Sequence, residues 1–195
     1  MSWDNMYKNI RSKKPLVWPE IQMIRLANKV SIDQKSVILD LGCGEGRNMR
    51  YFLENNFNII GVDQNEEALK ILKNLYSVED NKLICSSGEE ALKSFSNDYF
   101  DLIVCWGLVQ YIEEPNLILQ EISRVLKKDS HLIISFTAET DRRERADVVK
   151  NLYNENKIKE LVKKCNLKIK NFGKTDNIFI TDDKVDSFYW VLLQK

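Results

Sequence analysis

Gly42, Gly44 and Gly46 are three of the chain's 7 glycines, set at every second place in ILDLGCGEG (Ile38–Gly46). An apolar run closing on Asp40 stands directly before them, and a second run, NIIGVD (Asn58–Asp63), closes on Asp63. A glycine loop that ends a strand and opens a helix offers unpaired backbone N–H groups and the positive end of a helix dipole. Without a Cβ, it also lets a ligand reach the backbone. That chemistry suits a nucleotide-like ligand carrying an anionic group. A carboxylate at the end of the next strand can accept hydrogen bonds from both hydroxyls of a ribose. Dinucleotide binders share this device, but their G-x-G-x-x-G fingerprint needs glycine at position 47. Here that residue is Arg47, and the third glycine comes one place earlier. Two choices stay open on residue type alone. Asp40 either orients the glycine loop or faces the ligand, and Asp63 either holds a ribose or caps the following helix, or does both.

These residues need a scaffold. Continuous apolar cores in Val37–Gly42, Asn58–Asp63, Lys82–Ser87, Phe100–Trp106 and His131–Phe136 predict parallel strands buried on both faces. LKIKNF (Leu167–Phe172) alternates and predicts a half-exposed strand, and SFYWVLLQ (Ser187–Gln194) closes the chain. Helical stripes lie between them. One uses Ala68, Leu69, Leu72 and Leu75, another Leu117, Ile118, Ile122, Val125 and Leu126, and NKIKELVKKC supplies a third. Pro19 is placed to open an N-terminal helix running to about Lys29. The alternation predicts an α/β fold: one doubly wound, mostly parallel sheet with helices on both faces.

The 195 residues suit one domain, with 44% apolar and 30% charged residues. Twenty-nine basic residues balance 29 acidic ones, which argues against a polyanion-binding protein. Cys43, Cys85, Cys105 and Cys165 are far apart, so buried reduced thiols are expected rather than a metal site or a disulfide framework. The first residues have no apolar signal core and no long apolar span follows, so a soluble cytoplasmic protein without membrane partners is expected.

Four stretches, VILDLGCGEG, GVDQNEEAL, FDLIVCWGLVQYI and ISRVLKKDSHLIIS, occur in this order between Val37 and Phe136. Together they resemble the class I, Rossmann-like S-adenosylmethionine-dependent methyltransferases. The resemblance implies a seven-stranded sheet with its last strand antiparallel, S-adenosylmethionine as cofactor and S-adenosylhomocysteine as product. It implies that Asp40, Gly42, Cys43 and Gly44 lie along the methionine portion. Asp63 would hold the ribose, Gln64 would stand beside the adenine, and Ser87, Gly88 and Glu89 would edge it. Cys105 and Trp106 would face the amino-acid portion and the methyl group. Many relatives carry an acidic residue near position 87 where this chain has Ser87, and Pro-Gly-Gly where it has KKDSHL.

Methyl transfer from a sulfonium needs alignment and exclusion of water more than covalent help. Oxygen or nitrogen acceptors can also need a base. Gln110 and Tyr111 stand where many relatives have histidine, and the single His131 reads as a turn residue. Tyr111, Asp141, Glu144 and Tyr153 are the candidate bases. Tyr7, Trp18, Gln110 and Tyr111 are the candidate substrate contacts, and Trp3 joins Tyr7 and Trp18 as aromatic lid or core. Residues 1–30 then form an N-terminal lid or helix segment, and 137–154 a candidate substrate-covering insertion, including the basic RRER run (Arg142–Arg145). A small-molecule acceptor is favoured over nucleic acid, because CWGLVQ lacks the adenine-methylating motif and no basic excess exists. A monomer or homodimer is expected. The rival readings are a non-catalytic binder of the same cofactor and a nicotinamide-dependent oxidoreductase.

Overall fold

The computed structural model describes residues 3–139, 149–178 and 185–195. Strands β1 (Val37–Leu41), β2 (Asn58–Asp63), β3 (Leu83–Cys85), β4 (Phe100–Cys105), β5 (Leu126–Thr137), β6 (Lys168–Ile178) and β7 (Val185–Gln194) form one sheet in the order β3-β2-β1-β4-β5-β7-β6. β1 to β5 pair in parallel, and β7 lies antiparallel between β5 and β6. The expected seven-stranded, doubly wound sheet is therefore present. Its helices are α1 (Trp3–Met6, continued by a π-turn Tyr7–Arg11), α2 (Ile21–Ala27), α3 (Met49–Glu54), α4 (Glu66–Tyr76), α5 (Gly88–Ser94), α6 (Pro115–Val125) and α7 (Glu155–Lys164).

Period-two alternation divides each central strand between two cores. Leu39, Leu41, Ile103, Leu132 and Ile134 pack with α5, α6 and α7, while Ile38, Ile59, Leu102, Val104 and Ile133 pack with α2, α3 and α4. Asp40 shares the face of Ile38 and is 2% exposed. Three helices start on side-chain caps: Asn65 accepts from Ala68 N–H, Ser87 from Glu90 N–H and Asn154 from Lys157 N–H. The cap of α4 is thus Asn65 and not Asp63.

Local expectations shift in four places. Leu75 and Leu117 are exposed, because the helix face in contact with the sheet is narrower than the apolar stripe. Leu126 already belongs to β5, paired with Phe100. α2 begins at Ile21 behind a Glu20 cap, so Pro19 precedes the helix. β3 is three residues long, because a 3₁₀ turn (Asp80–Lys82) takes its start.

Between β6 and β7, Gly173 faces Trp190 in register. A Cβ at Gly173 would lie 2.0 Å from Trp190 Cζ2, and the indole is held by its N–H to Thr175 Oγ1 at 3.2 Å. Gly173→Ala is therefore expected to destabilise the protein by about 1–3 kcal/mol through overpacking. Urea unfolding should show a lower midpoint at an unchanged slope.

Candidate active site

The sheet reverses its strand order between β1 and β4, and the loops leaving those two strands part there. The β1 loop is fastened to β2: Gly42 N–H and Cys43 N–H both donate to Val62 O, at 2.8 and 3.0 Å. Asp63 completes the fastening, accepting from Gly44 N–H and from Asn65 N–H at 2.9 Å each. Gly44 has φ +53°, and the place of its missing Cβ is 2.8 Å from the Tyr7 hydroxyl. That answers why glycine stands here: the backbone is left-handed and a side chain approaches it closely.

Two cavities meet over this loop. One of about 270 Å³ is bordered by Asp40, Gly42, Cys43, Gly44, Glu45, Trp106 and Gln110, and reaches Ser135, Thr137 and Phe188. The other, about 490 Å³, is bordered by Asp63, Gln64, Asn65, Ser86, Gly88 and Glu89. Trp3, Tyr7, Gly42, Gly107 and Tyr111 line both. The first helix lies between them: Trp3 stacks on Tyr7 at 6.0 Å and meets Tyr111 edge-on at 5.2 Å, while Asn65 Nδ2 donates to Asp4.

The electrostatics are acidic. Burial and the charge of Asp63 push the Asp40 carboxyl up to about 7, against the opposing pull of Arg47. Burial also raises Asp63, against its two backbone hydrogen bonds. Burial, Asp40 and Asp63 together keep the Cys43 thiol protonated. Tyr7 is raised by burial first, then by Asp63 and Glu45, so it stays a phenol. Glu45 is 5% exposed; one oxygen accepts from Leu16 N–H and the other has no partner. Arg11 lies 3.8 Å from it, and Arg47 pairs with Glu20 at 2.8 Å.

The chain matches the family model described as a methyltransferase domain over residues 39–134. It is 28% identical over 126 residues to a thiol S-methyltransferase of Rattus norvegicus, covering 62% of this chain and 48% of that one. It is 30% identical over 159 residues to an uncharacterised protein of Methanocaldococcus jannaschii, covering 76% and 71%. It spans about half the length of most curated relatives it matches. A solved S-adenosylmethionine-dependent methyltransferase from Archaeoglobus fulgidus shares the fold, with TM-score 0.68 at 17% identity over 98% of this chain and 97% of that one. The chain belongs to the class I S-adenosylmethionine-dependent methyltransferases. The cofactor of the family is S-adenosylmethionine, and the match decides between the two readings of the glycine loop.

The methyltransferase cleft gathers most residues singled out by sequence. Asp40, Gly42, Cys43, Gly44, Trp106, Gln110, Tyr111 and Tyr7 border the smaller cavity, and Asp63, Gln64, Gly88 and Glu89 the larger. Others lie elsewhere. Trp18 is 76% exposed, stacked under the Arg50 guanidinium at 5.1 Å and outside both cavities. Cys105 is fully buried behind the wall. Ser87 is outside the lining of both cavities, its hydroxyl spent on the α5 cap; Ser86 borders the cleft in its place. Tyr153 is buried against Phe136 at 4.9 Å and borders neither cavity. Asp141 and Glu144 lie outside the described residues, as do Arg142 and Arg145. Sequence reasoning missed Arg11, Ser135, Thr137 and Phe188, which only the tertiary fold brings to the cleft. Glu45 was missed with them. The carboxylate is in fact buried in the cavity wall, because Leu16 N–H holds it there. His131 is not a turn residue: it lies in the middle of β5, paired with Leu102 and Gln194, because the strand already begins at Leu126, and it borders neither cavity. Among the described residues no helix is long and apolar enough to cross a membrane, and no three His, Cys, Asp or Glu are grouped to hold a metal ion.

The raised Asp40 gives this methyltransferase a pH signature. A carboxyl moved from 3.8 to about 7 on folding stabilises the ligand-free protein most below 3.8, and that contribution is lost as pH rises through about 7. A cationic ligand over Asp40 favours the ionised form. Near pH 7, calorimetric titration with S-adenosylmethionine in buffers of different ionisation enthalpy should therefore show proton release. Asp40→Asn should abolish the release; release unchanged in that variant would assign the proton elsewhere.

Proposed function

We propose that the protein transfers the methyl group of S-adenosylmethionine to a small-molecule acceptor through an oxygen or nitrogen nucleophile. The observation that carries this reading is the joint between the two cavities, where Asp63 fastens the left-handed Gly44 and Tyr7 covers it. The residues present fit the cofactor. A Cβ at Gly44 would fill the cradle, and the carboxylates of Asp40, Glu45 and Asp63 form an acidic field suited to an ammonium and a sulfonium. Asp63 and Gln64 would hold the ribose and adenine side, with Ser86, Gly88 and Glu89 at its edge. Asp40, Gly42, Cys43 and Gly44 would flank the methionine portion, and Arg11 and Arg47 are the cations that border this cavity. When bound, the cofactor supplies an activated methyl group. The protein orients the acceptor against it and excludes water, for which Trp3, Tyr7, Trp106, Tyr111 and Phe188 supply aromatic walls.

The N-terminal segment through Arg11 acts as the lid in this reading, since Trp3 and Tyr7 border both cavities. The rat relative's name carries a thiol acceptor. Four unpaired cysteines agree with a cytoplasmic setting. The test is release of S-adenosylhomocysteine across a panel of alcohols, phenols, amines and thiols. Turnover of one class is expected. Tight cofactor binding with no turnover of any would favour a binding protein over an enzyme.

A further inference from the structure

Among the described residues, five border both cavities: Trp3, Tyr7, Gly42, Gly107 and Tyr111. They mark the joint through which a ligand that fills both cavities must pass. The two glycines belong to the loops leaving β1 and β4 and present no side chain. The other three residues are aromatic. Trp3 and Tyr7 come from the N-terminal segment, and Tyr111 from the 3₁₀ turn Val109–Tyr111 after β4. The Tyr7 hydroxyl reaches to 2.8 Å from the place of a Gly44 Cβ. Trp3 touches both other rings, with centroids 6.0 Å from Tyr7 and 5.2 Å from Tyr111. The three rings therefore form one cluster across the joint.

The segment that carries Trp3 and Tyr7 is tied to the cradle itself. Asn65 Nδ2 donates to Asp4 beside Trp3. Leu16 N–H donates to Glu45, Glu20 N–H to Asn48, and Arg50 Nη1 to Val17 O. Each tie ends on the β1 loop, on α3 with its cap, or on the cap of α4. Carboxylates flank the joint without entering it. Asp40 and Glu45 border the smaller cavity, and Asp63 borders the larger. Tyr7 stays a phenol, so it offers a ring and not an anion.

S-adenosylmethionine carries its ribose and its amino acid on opposite sides of a sulfonium. With the ribose on Asp63 and the amino acid beside Asp40, the sulfonium falls at the joint. A cation set against an aromatic face is attracted by the ring's quadrupole. S-adenosylhomocysteine has the same two ends and a neutral sulfur.

We propose that Trp3, Tyr7 and Tyr111 form an aromatic clamp on the sulfonium, through which the protein distinguishes the charged cofactor from its neutral product. This rests on the methyltransferase reading above. The rings pack against either sulfur, but only the sulfonium gains the cation–π attraction. Methyl transfer removes that charge and so loosens the clamp around the spent cofactor.

Calorimetric titration with S-adenosylmethionine and with S-adenosylhomocysteine, at one pH and one ionic strength, gives the ratio of the two affinities for each protein. Trp3→Leu, Tyr7→Leu and Tyr111→Leu should each weaken S-adenosylmethionine about 3- to 10-fold more than S-adenosylhomocysteine. Trp3→Phe and Tyr7→Phe keep a ring and should stay near the parent ratio. Trp18→Leu, on the same segment but outside both cavities, should hold that ratio too. The carboxylates are the same in all these proteins, so their pull on the extra positive charge cancels from the comparison. None of the three rings belongs to either hydrophobic core, so the variants should fold, as circular dichroism can check. If one does not, the other two decide. Equal losses for both ligands in the Leu variants, or a ratio that falls as far in the Phe variants, would overturn the proposal. A parent protein that binds neither ligand would instead remove the methyltransferase reading beneath it.

Discussion

Gly44→Val is expected to abolish S-adenosylhomocysteine binding. The backbone at Gly44 has φ +53°, a region that a β-branched residue enters only at a cost of about 1–3 kcal/mol. The new Cβ would sit 2.8 Å from the Tyr7 hydroxyl, at the wall of the smaller cavity. The chain can relieve the strain by moving Tyr7 away or by flattening the loop. The first opens the aromatic cover, and the second pulls Gly44 N–H off Asp63. Either route damages the cradle while both hydrophobic cores stay intact, so circular dichroism should show a folded protein. Calorimetry should then show no heat. Glu45→Ala makes the comparison informative. It removes the acceptor for Leu16 N–H and the partner of Arg11, so it should loosen the N-terminal segment and weaken binding by less than Gly44→Val does. Parent affinity in a folded Gly44→Val protein would mean that the loop does not cradle the ligand.

Asp63→Ala should cost cofactor affinity about 1.5–3 kcal/mol, the scale of a hydrogen bond to a charged group. Its carboxylate spans Gly44 N–H and Asn65 N–H, so the substitution also leaves two backbone donors without their acceptor. A modest fall in thermal midpoint should accompany the loss of affinity. Burial works against the ionised carboxylate, which offsets part of that fall. Asp63→Asn retains one acceptor oxygen and should lie between parent and Ala in affinity. An Asp63→Ala protein with a lowered midpoint but parent affinity would reduce Asp63 to a fastener of the loop.

Much of this was readable before the fold was known, for a physical reason. β1 and β4 are buried along most of their length, so apart from Asp40 and Asp101 their residues are apolar and the strands stand out in the sequence, as does the apolar centre of β2. The glycine loop and Asp63 are local to the ends of β1 and β2, so their spacing survives in sequence. What escaped depends on contacts far along the chain. Glu45 looks like an exposed loop acid until Leu16, 29 residues away, takes its carboxylate. Phe188 reaches the cleft only because β7 inserts antiparallel beside β5, opposite Thr137. Residue type did not separate Tyr7 from Trp18: both are N-terminal aromatics, yet one covers Gly44 and the other stacks with Arg50 in solvent. Tyr153 likewise had the right chemistry for a base, but the β-bridge of Ala138 with Tyr153 turns its ring into the core against Phe136.

The central claim is that the Gly42–Gly46 loop and Asp63 form one cofactor cradle. It is tested most directly by isothermal titration of the parent chain with S-adenosylhomocysteine, with NADH as the control ligand. One S-adenosylhomocysteine site per chain and no heat with NADH is the predicted result. Saturable binding of NADH with none of S-adenosylhomocysteine would contradict it.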